Sequence, residues 1–329
     1  MKRSDLLRAL VRRCPYPFRA LLTLAANGWL PRRIYGGISR HWLGQLLLED
    51  LFPLGVRVWS PPLRLYVSPL VAHTHGQVHR LDRRVFLQAL APGMTVIDVG
   101  ASSGFFTLLA ARTMGATGHI HAVEPSPRAL ARLERNVRLS KARNVTIHPY
   151  AAGRRRERKI FHVTTGGGTD GFHGSDFSPT VETIDVSAVP LDEVIASPVH
   201  LVKIDVEGAE IEVLTGMTRI LSESPALALL VEWNPSGQRR AGRDPLELPR
   251  FLQDHGFTAL QVLDESAGRI QPLESVQRLL ACGQLPHLWY ANIWARRPAS
   301  AAAGQAPPGG RPAVAPPAGG AARPVGGCG

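Results

Sequence analysis

The stretch that decides the fold is VIDVGASSGFF, Val96 to Phe106. Val96, Ile97 and Val99 form a short apolar run of the kind that makes a buried strand. From Phe105 onward, FFTLLAARTM has the length and composition of a helix. Gly100 and Gly104 therefore stand at a strand-to-helix turn, where glycine tolerates positive φ and lets the backbone approach a ligand closely. A dinucleotide site would place G-x-G-x-x-G at such a turn, to receive a pyrophosphate on the helix N-terminus. Here the second glycine of that set is missing, and an acid, Asp98, precedes the turn. A carboxylate at that tip repels a pyrophosphate and suits a ligand bearing an ammonium or sulfonium. The pattern favours S-adenosylmethionine over a nicotinamide dinucleotide.

Downstream the alternation of strand and helix continues. GHIHAVEP reads as a second strand and SPRALARLERNVRLS as a helix, with Ser126 at the N-cap and Pro127 in the first helical position. NVTIHPYAAG reads as a third strand and HLVKIDVEG as the next, followed by the helix AEIEVLTGMTRILSE. Then come the strand ALALLVEWN, a helix around LELPRFLQDHG, and the strands FTALQVLD and LWYANIWAR. Strands joined through helices predict an α/β fold with a doubly wound, mostly parallel, Rossmann-like sheet, and ligands at the carboxyl ends of its strands. Glu124 closes the second strand, twenty residues past Gly104. A carboxylate there can accept hydrogen bonds from both hydroxyls of a ribose.

LVKIDVEGAEIEVLTGM, Leu201 to Met217, gathers four carboxylates, Asp205, Glu207, Glu210 and Glu212, in a chain of formal net charge +12. Side chains alternate across a strand, so Lys203, Asp205 and Glu207 share a face until the strand ends. That places Asp205 and Glu207 at the carboxyl tip, facing the ligand. Glu210 and Glu212 fall in the first helical turn, where negative charge complements the helix dipole, and read as surface groups. An alcohol attacks a methyl donor only as its proton is removed, so a general base is needed, and Asp205 or Glu207 is the expected one. His162 and His173, in the Gly-rich loop FHVTTGGGTDGFHGSDF, are the rivals, and that loop reads either as a mobile lid or as a plain connection. No metal centre is expected, because no His-rich site exists; a divalent ion bridging Asp205 and Glu207 is the alternative.

Charge and composition bound the rest. Residues 1–90 hold fourteen Arg and Lys against Asp5, Glu49, Asp50 and Asp82. Such a zone could meet nucleic acid or an anionic membrane surface, yet aromatic residues do not interleave with the basic ones as a stacking platform requires. No run of 18 apolar residues exists and no signal peptide is read. Three distant cysteines, Cys14, Cys282 and Cys328, fit neither a disulfide framework nor a zinc site and point to a reducing, cytoplasmic setting. The expected organisation is a basic, partly helical extension over 1–80, one α/β domain over 81–297, and a Pro/Ala/Gly-rich tail over 298–329 that cannot bury enough surface to fold.

VIDVGASSGFFTLLAA, HAVEPSPRALARLERNV and VKIDVEGAEIEVLTG together resemble the FkbM family of S-adenosylmethionine-dependent methyltransferases, and the likeness extends through LLVEWNP. The family's D-V-G-A-x-x-G stands at Asp98–Gly104, its E-P at Glu124–Pro125, and its K-I-D-V-E-G-A-E at Lys203–Glu210. The resemblance covers roughly 80–297 and implies a class I methyltransferase fold, with methylation of a hydroxyl oxygen on a polyketide, sugar or similar small molecule. It implies cofactor contacts from Asp98, Gly100, Ala101, Gly104, Phe105, Glu124, Pro125, Ala151 and Asp205, with Asp205 and Glu207 catalytic. No [ND]PP[YF] motif and no Pro-Cys pair occur, which weakens methylation of DNA bases. Two other readings stay open. One is an RNA methyltransferase using the basic N-terminal zone; the other is a membrane-surface scaffold with a vestigial cofactor fold. Oligomeric state is not legible.

Overall fold

The computed structural model describes residues 58–60, 65–67, 80–165 and 169–298. The helices expected before residue 57 and the Pro/Ala/Gly-rich tail lie outside the described residues. Ahead of the main domain, within the extension expected to be partly helical, β1 (Val58–Ser60) and β2 (Leu65–Val67) pair antiparallel.

The chain then runs α1 (Arg80–Ala89), β3 (Thr95–Val99), α2 (Phe105–Met114), β4 (His119–Val123), α3 (Pro127–Ser140) and β5 (Val145–His148). An excursion follows: β6 (Ala151–Ala152), β7 (Glu157–Thr164) and β8 (Thr180–Val189). The path returns through β9 (Leu201–Ile204), α4 (Glu210–Thr215), α5 (Thr218–Glu223), β10 (Ala228–Trp233), α6 (Pro235–Arg240) and α7 (Glu247–Asp254). It closes with β11 (Ala259–Asp264), β12 (Arg269–Pro272), α8 (Leu273–Ala281) and β13 (Ala291–Arg296).

Eight strands form the central sheet, in the order β12-β11-β13-β10-β9-β3-β4-β5. From β5 to β10 all neighbours are parallel, and β13 enters antiparallel between β10 and β11. This is the expected doubly wound, mostly parallel sheet. Its order reverses beside β3, the first central strand, which puts a crevice at the carboxyl ends of β3, β4 and β9.

Parallel strands covered on both faces should be apolar throughout, and β9 and β3 are buried along almost their whole length. Val96 and Ile97, adjacent on β3, point to opposite faces and enter different cores. Val96 belongs to the core that holds Phe86, Phe106, Leu109 and Ile120, and Ile97 to the one that holds Val202, Leu214, Trp233 and Phe257. Each such side chain, fully buried, contributes roughly 1.5–3 kcal/mol. The start of α1 is fixed by Glu265, whose Oε1 accepts the amide of Asp82 at 3.1 Å, and Asp82 Oδ2 in turn accepts from Asn292 Nδ2 at 2.9 Å.

The three-stranded sheet β6-β8-β7 departs from the linear reading. The single third strand expected over NVTIHPYAAG is two, β5 in the main sheet and β6 in the small one, because the chain leaves the sheet edge at Pro149 and Tyr150. Most of the Gly-rich stretch read as a lid or loop is the arm and tip of the β7–β8 hairpin. Cys282 is disulfide-bonded, against the cysteine count that points to no disulfide framework. Among the described residues no helix is long and apolar enough to cross a membrane.

Candidate functional site

At the tip of β3 the backbone of Gly100 takes φ +77°, and a Cβ there would meet the Asp205 carbonyl oxygen at 1.9 Å. Two strand ends thus touch through a residue that has no side chain. The amides of Gly100 and Ala101 both donate to the Val123 carbonyl, at 3.0 and 3.1 Å, and the Asp205 amide donates to the Val99 carbonyl at 3.0 Å. The tips of β3, β4 and β9 are stitched into one rim. Ser102 and Glu207 sit on that rim with φ +49° and +57°, an uncommon conformation for residues other than glycine and one that concentrates at functional sites.

Glu124 closes β4 with both oxygens engaged: Oε2 accepts the Ser102 amide at 2.7 Å and Oε1 the Ser126 amide at 2.8 Å. It ties the glycine turn to the start of α3. Burial pushes its carboxyl up to about 7, and the two amide bonds oppose that rise. Ser126 holds the N-cap position of α3, but its hydroxyl does not cap the helix. Instead Ser126 Oγ donates to Asp170 Oδ2 at 2.9 Å, while Asp170 Oδ1 accepts the Thr164 amide at 2.8 Å. Asp170 therefore latches the tip of the β7–β8 hairpin over the crevice. Lys159 on β7 pairs with Glu212, and Arg240 of α6 pairs with Asp176. Replacing Asp170 by alanine should cost about 1.5–3 kcal/mol of local stability, the worth of its charge-assisted bonds. The amides of residues 169–177 should then exchange with solvent at least about tenfold faster; unchanged exchange there would mean that Asp170 is no latch.

Around the tip of β9 the acids crowd together. Lys203, almost fully buried, bonds Asp205 Oδ2 at 2.8 Å and stands in register with Asp98 on β3. Burial alone would lower its ammonium, but Asp205 and Asp98 outweigh that and hold it above the ordinary lysine range. Asp98 is itself buried, accepts from Thr107 Oγ1 at 2.6 Å, and is pushed up by burial. Glu207 is 7% exposed, and burial followed by the charges of Asp205 and Glu210 pushes its carboxyl up to about 8. Glu210 corrects the sequence reading: it is no surface dipole partner but wholly buried, folding back so that its Oε1 accepts the Gly208 amide at 3.0 Å. The reason is the turn itself. Positive φ at Glu207 and Gly208 aims amides inward, and a buried amide needs an acceptor.

The crevice is lined by Gly100, Glu124, Pro125, Ala151, Asp205 and Glu207 among the expected site residues, joined by Ser102, Asp170, Phe161 and Phe172. Asp98, Ala101, Gly104 and Phe105 are buried around the turn and are not among the lining residues. His162 and His173, the rival bases, are not among the lining residues. Phe161 and Phe172 meet edge to face with ring centroids 5.7 Å apart, and a linear reading had no means to pair them. Glu232, on β10 and 7% exposed, joins the acids of β9. Its sequence signal was an acid between Val231 and Trp233 in a strand otherwise apolar. The lining thus combines four carboxylates with apolar walls and includes no Lys or Arg. That suits a cationic nucleoside and would repel a pyrophosphate.

Residues 98–259 match the methyltransferase FkbM domain. The 31-O-demethyl-FK506 methyltransferase FkbM of Streptomyces tacrolimicus is 29% identical over 243 residues, 61% of this chain and 90% of that protein. The tRNA (adenine(58)-N(1))-methyltransferase TrmI of Thermus thermophilus is 45% identical over 127 residues, 34% of this chain, and the chain spans only half of that relative's length, 50%. Among solved structures, a methyltransferase FkbM from Methylobacillus flagellatus superimposes with a TM-score of 0.42 at 15% identity, covering 76% of this chain and 60% of that one.

Proposed function

Since the chain belongs to the FkbM family of S-adenosylmethionine-dependent methyltransferases, we propose that it methylates a hydroxyl oxygen of a small molecule. The observation that carries the proposal is the crevice at the carboxyl ends of β3, β4 and β9, lined by four carboxylates and apolar walls. Bound there, the cofactor supplies an already activated sulfonium methyl. Glu124 would hold the ribose hydroxyls, since each of its oxygens keeps a second lone pair beyond the amide it accepts. Ala151, Val123 and Phe161 would enclose the base, and the acids around Asp205 would offset the ligand's positive charge. Glu207, buried and on the wall, would take the acceptor's proton as its oxygen attacks. The hairpin tip held by Asp170 would keep water out while it does so. Phe177 and Tyr290, 5.8 Å apart edge to face, would offer an apolar surface for the acceptor. Tyr290 is near the acids: burial and then Glu232 and Asp205 push its hydroxyl up.

Titration calorimetry with S-adenosylmethionine tests the cofactor half. Glu124→Ala should weaken binding at least about 100-fold, two charge-assisted bonds of about 1.5–3 kcal/mol each. Wild-type affinity should rise with pH through about 7, as the Glu124 carboxyl in the free protein ionises and becomes the better acceptor. Transfer of labelled methyl to hydroxylated acceptors, beside tRNA, tests the other half. The second reading, an RNA methyltransferase, is favoured by the match to the tRNA enzyme and by the basic residues 1–90. Label appearing on tRNA alone would establish it.

A further inference from the structure

Asp205, Glu207 and Glu232 each present a carboxylate oxygen, and the three oxygens lie within 4.8 Å of one another. The residues come from two elements. Asp205 and Glu207 follow β9, and Glu232 stands one step beyond the β9–β10 pair Val231↔Ile204, so the parallel register brings it alongside them. Glu207 and Glu232 are each only 7% exposed, and Oε2 of both is buried without a hydrogen-bond partner. Glu207 also lines the crevice, so the cluster adjoins the space in which a ligand would sit. A buried carboxylate oxygen with no partner is costly, and neither neighbouring cation is bonded to these two oxygens. Lys203 is held by Asp205, and Arg240 by Asp176 and the Gly174 carbonyl. The donor set is all oxygen and anionic, with no imidazole or thiolate, which selects a hard divalent cation of the magnesium or manganese kind over zinc or copper.

We infer that Asp205, Glu207 and Glu232 bind one hard divalent cation beside the methyl-transfer crevice, and that its open positions take the acceptor's hydroxyl oxygen. The binding stands on these residues alone; only the role rests on the methyl-transfer reading. A cation on the hydroxyl oxygen makes its proton easier to remove. Each carboxylate has two oxygens, so Glu207 can hold the ion through one and accept the proton on the other.

The test uses the full chain, stripped with a chelator and titrated with manganese, read by its electron paramagnetic resonance signal. One manganese should bind per chain and be displaced by magnesium. Glu207→Gln and Glu232→Gln should each weaken it by at least about 10–100-fold, the loss typical even of outer-shell partners. Glu124→Ala, which takes away the ribose-facing carboxylate, should keep the manganese signal. Folded wild-type chain that binds no manganese at millimolar concentration overturns the site, as do glutamine variants that bind it like wild type. If the glutamine variants do not fold, the wild-type stoichiometry and the magnesium competition decide. Calorimetry with S-adenosylmethionine on the same samples separates the two claims: manganese without cofactor binding defeats the methyl-transfer reading and leaves the site standing.

Discussion

Glu207→Gln is expected to slow methyl transfer by about 10²–10⁴-fold, the usual worth of a positioned general base, and at the same time to stabilise the fold. The two effects have one origin. Burial, with Asp205 and Glu210 nearby, raises the Glu207 carboxyl from an ordinary 4.5 to about 8 in the folded chain, and Arg240 only partly opposes this. A raised pKa means that the folded state binds a proton which the unfolded state has released. The contribution to stability is fully present below about pH 4.5 and is lost as pH rises through about 8. Glutamine keeps the shape and cannot ionise, so its advantage grows across that window and is largest at and above pH 8. A gain on the order of 1–3 kcal/mol, or roughly 2–10 °C in melting temperature, is expected in the presence of a chelator. The wild-type rate should climb with pH through about 8, where Glu207 becomes able to accept a proton. Melting curves at pH 5 and pH 8.5, with rate profiles on the same preparations, check this. A glutamine variant that is no more stable at pH 8.5 than at pH 5, relative to wild type, would show that Glu207 is not charged at a cost in the fold. An activity loss below tenfold would move the base to another residue.

Such a trade of stability for function explains which parts of the site were legible in the sequence and which were not. Strand tips announce themselves: Gly100 and Glu124 follow apolar runs at short range, and both line the crevice. Glu207 lines the crevice too, just past a continuous strand and before Gly208. Glu210 misleads, since its position in a first helical turn is the surface pattern, and only the inward amides of the preceding turn explain its burial. Glu232 is a pairing residue. Its place beside Glu207 depends on β10 lying against β9, and no local pattern carries that register. The hairpin is the largest gap. Its tip is glycine-rich and polar, so it resembles a loop, yet Asp170 and Phe172 reach the crevice from it through contacts with Ser126 and Phe161. Long-range contacts of this sort are set by the three-dimensional path and not by spacing along the chain.

Gly100→Ala should be the most damaging single-methyl change in the domain. A Cβ at Gly100 would stand 1.9 Å from the Asp205 carbonyl oxygen and 3.0 Å from its carbon. These are backbone atoms, and the Asp205 amide is itself bonded to Val99, so the obstacle cannot swing aside. The φ of +77° adds a penalty of about 1–2 kcal/mol for any residue with a Cβ. Together with about 1–3 kcal/mol for forced overpacking, the expected loss is about 2–5 kcal/mol. Separating the tips of β3 and β9 would also shift Asp205 and Glu207 relative to Glu124, so cofactor binding should fail even where the variant still folds. Gly104→Ala is the matched control. Its φ of +92° is as unfavourable, but the atom in the way, Leu133 Cδ1 at 2.7 Å, is the free end of a side chain that can rotate. A loss of about 1–2 kcal/mol with cofactor binding kept is expected there. Denaturant unfolding of both variants, followed by calorimetry with S-adenosylmethionine, distinguishes them. If the two lose equal stability, left-handed backbone strain alone sets the cost; if Gly100→Ala loses far more, the contact between the two strand tips is what the glycine preserves.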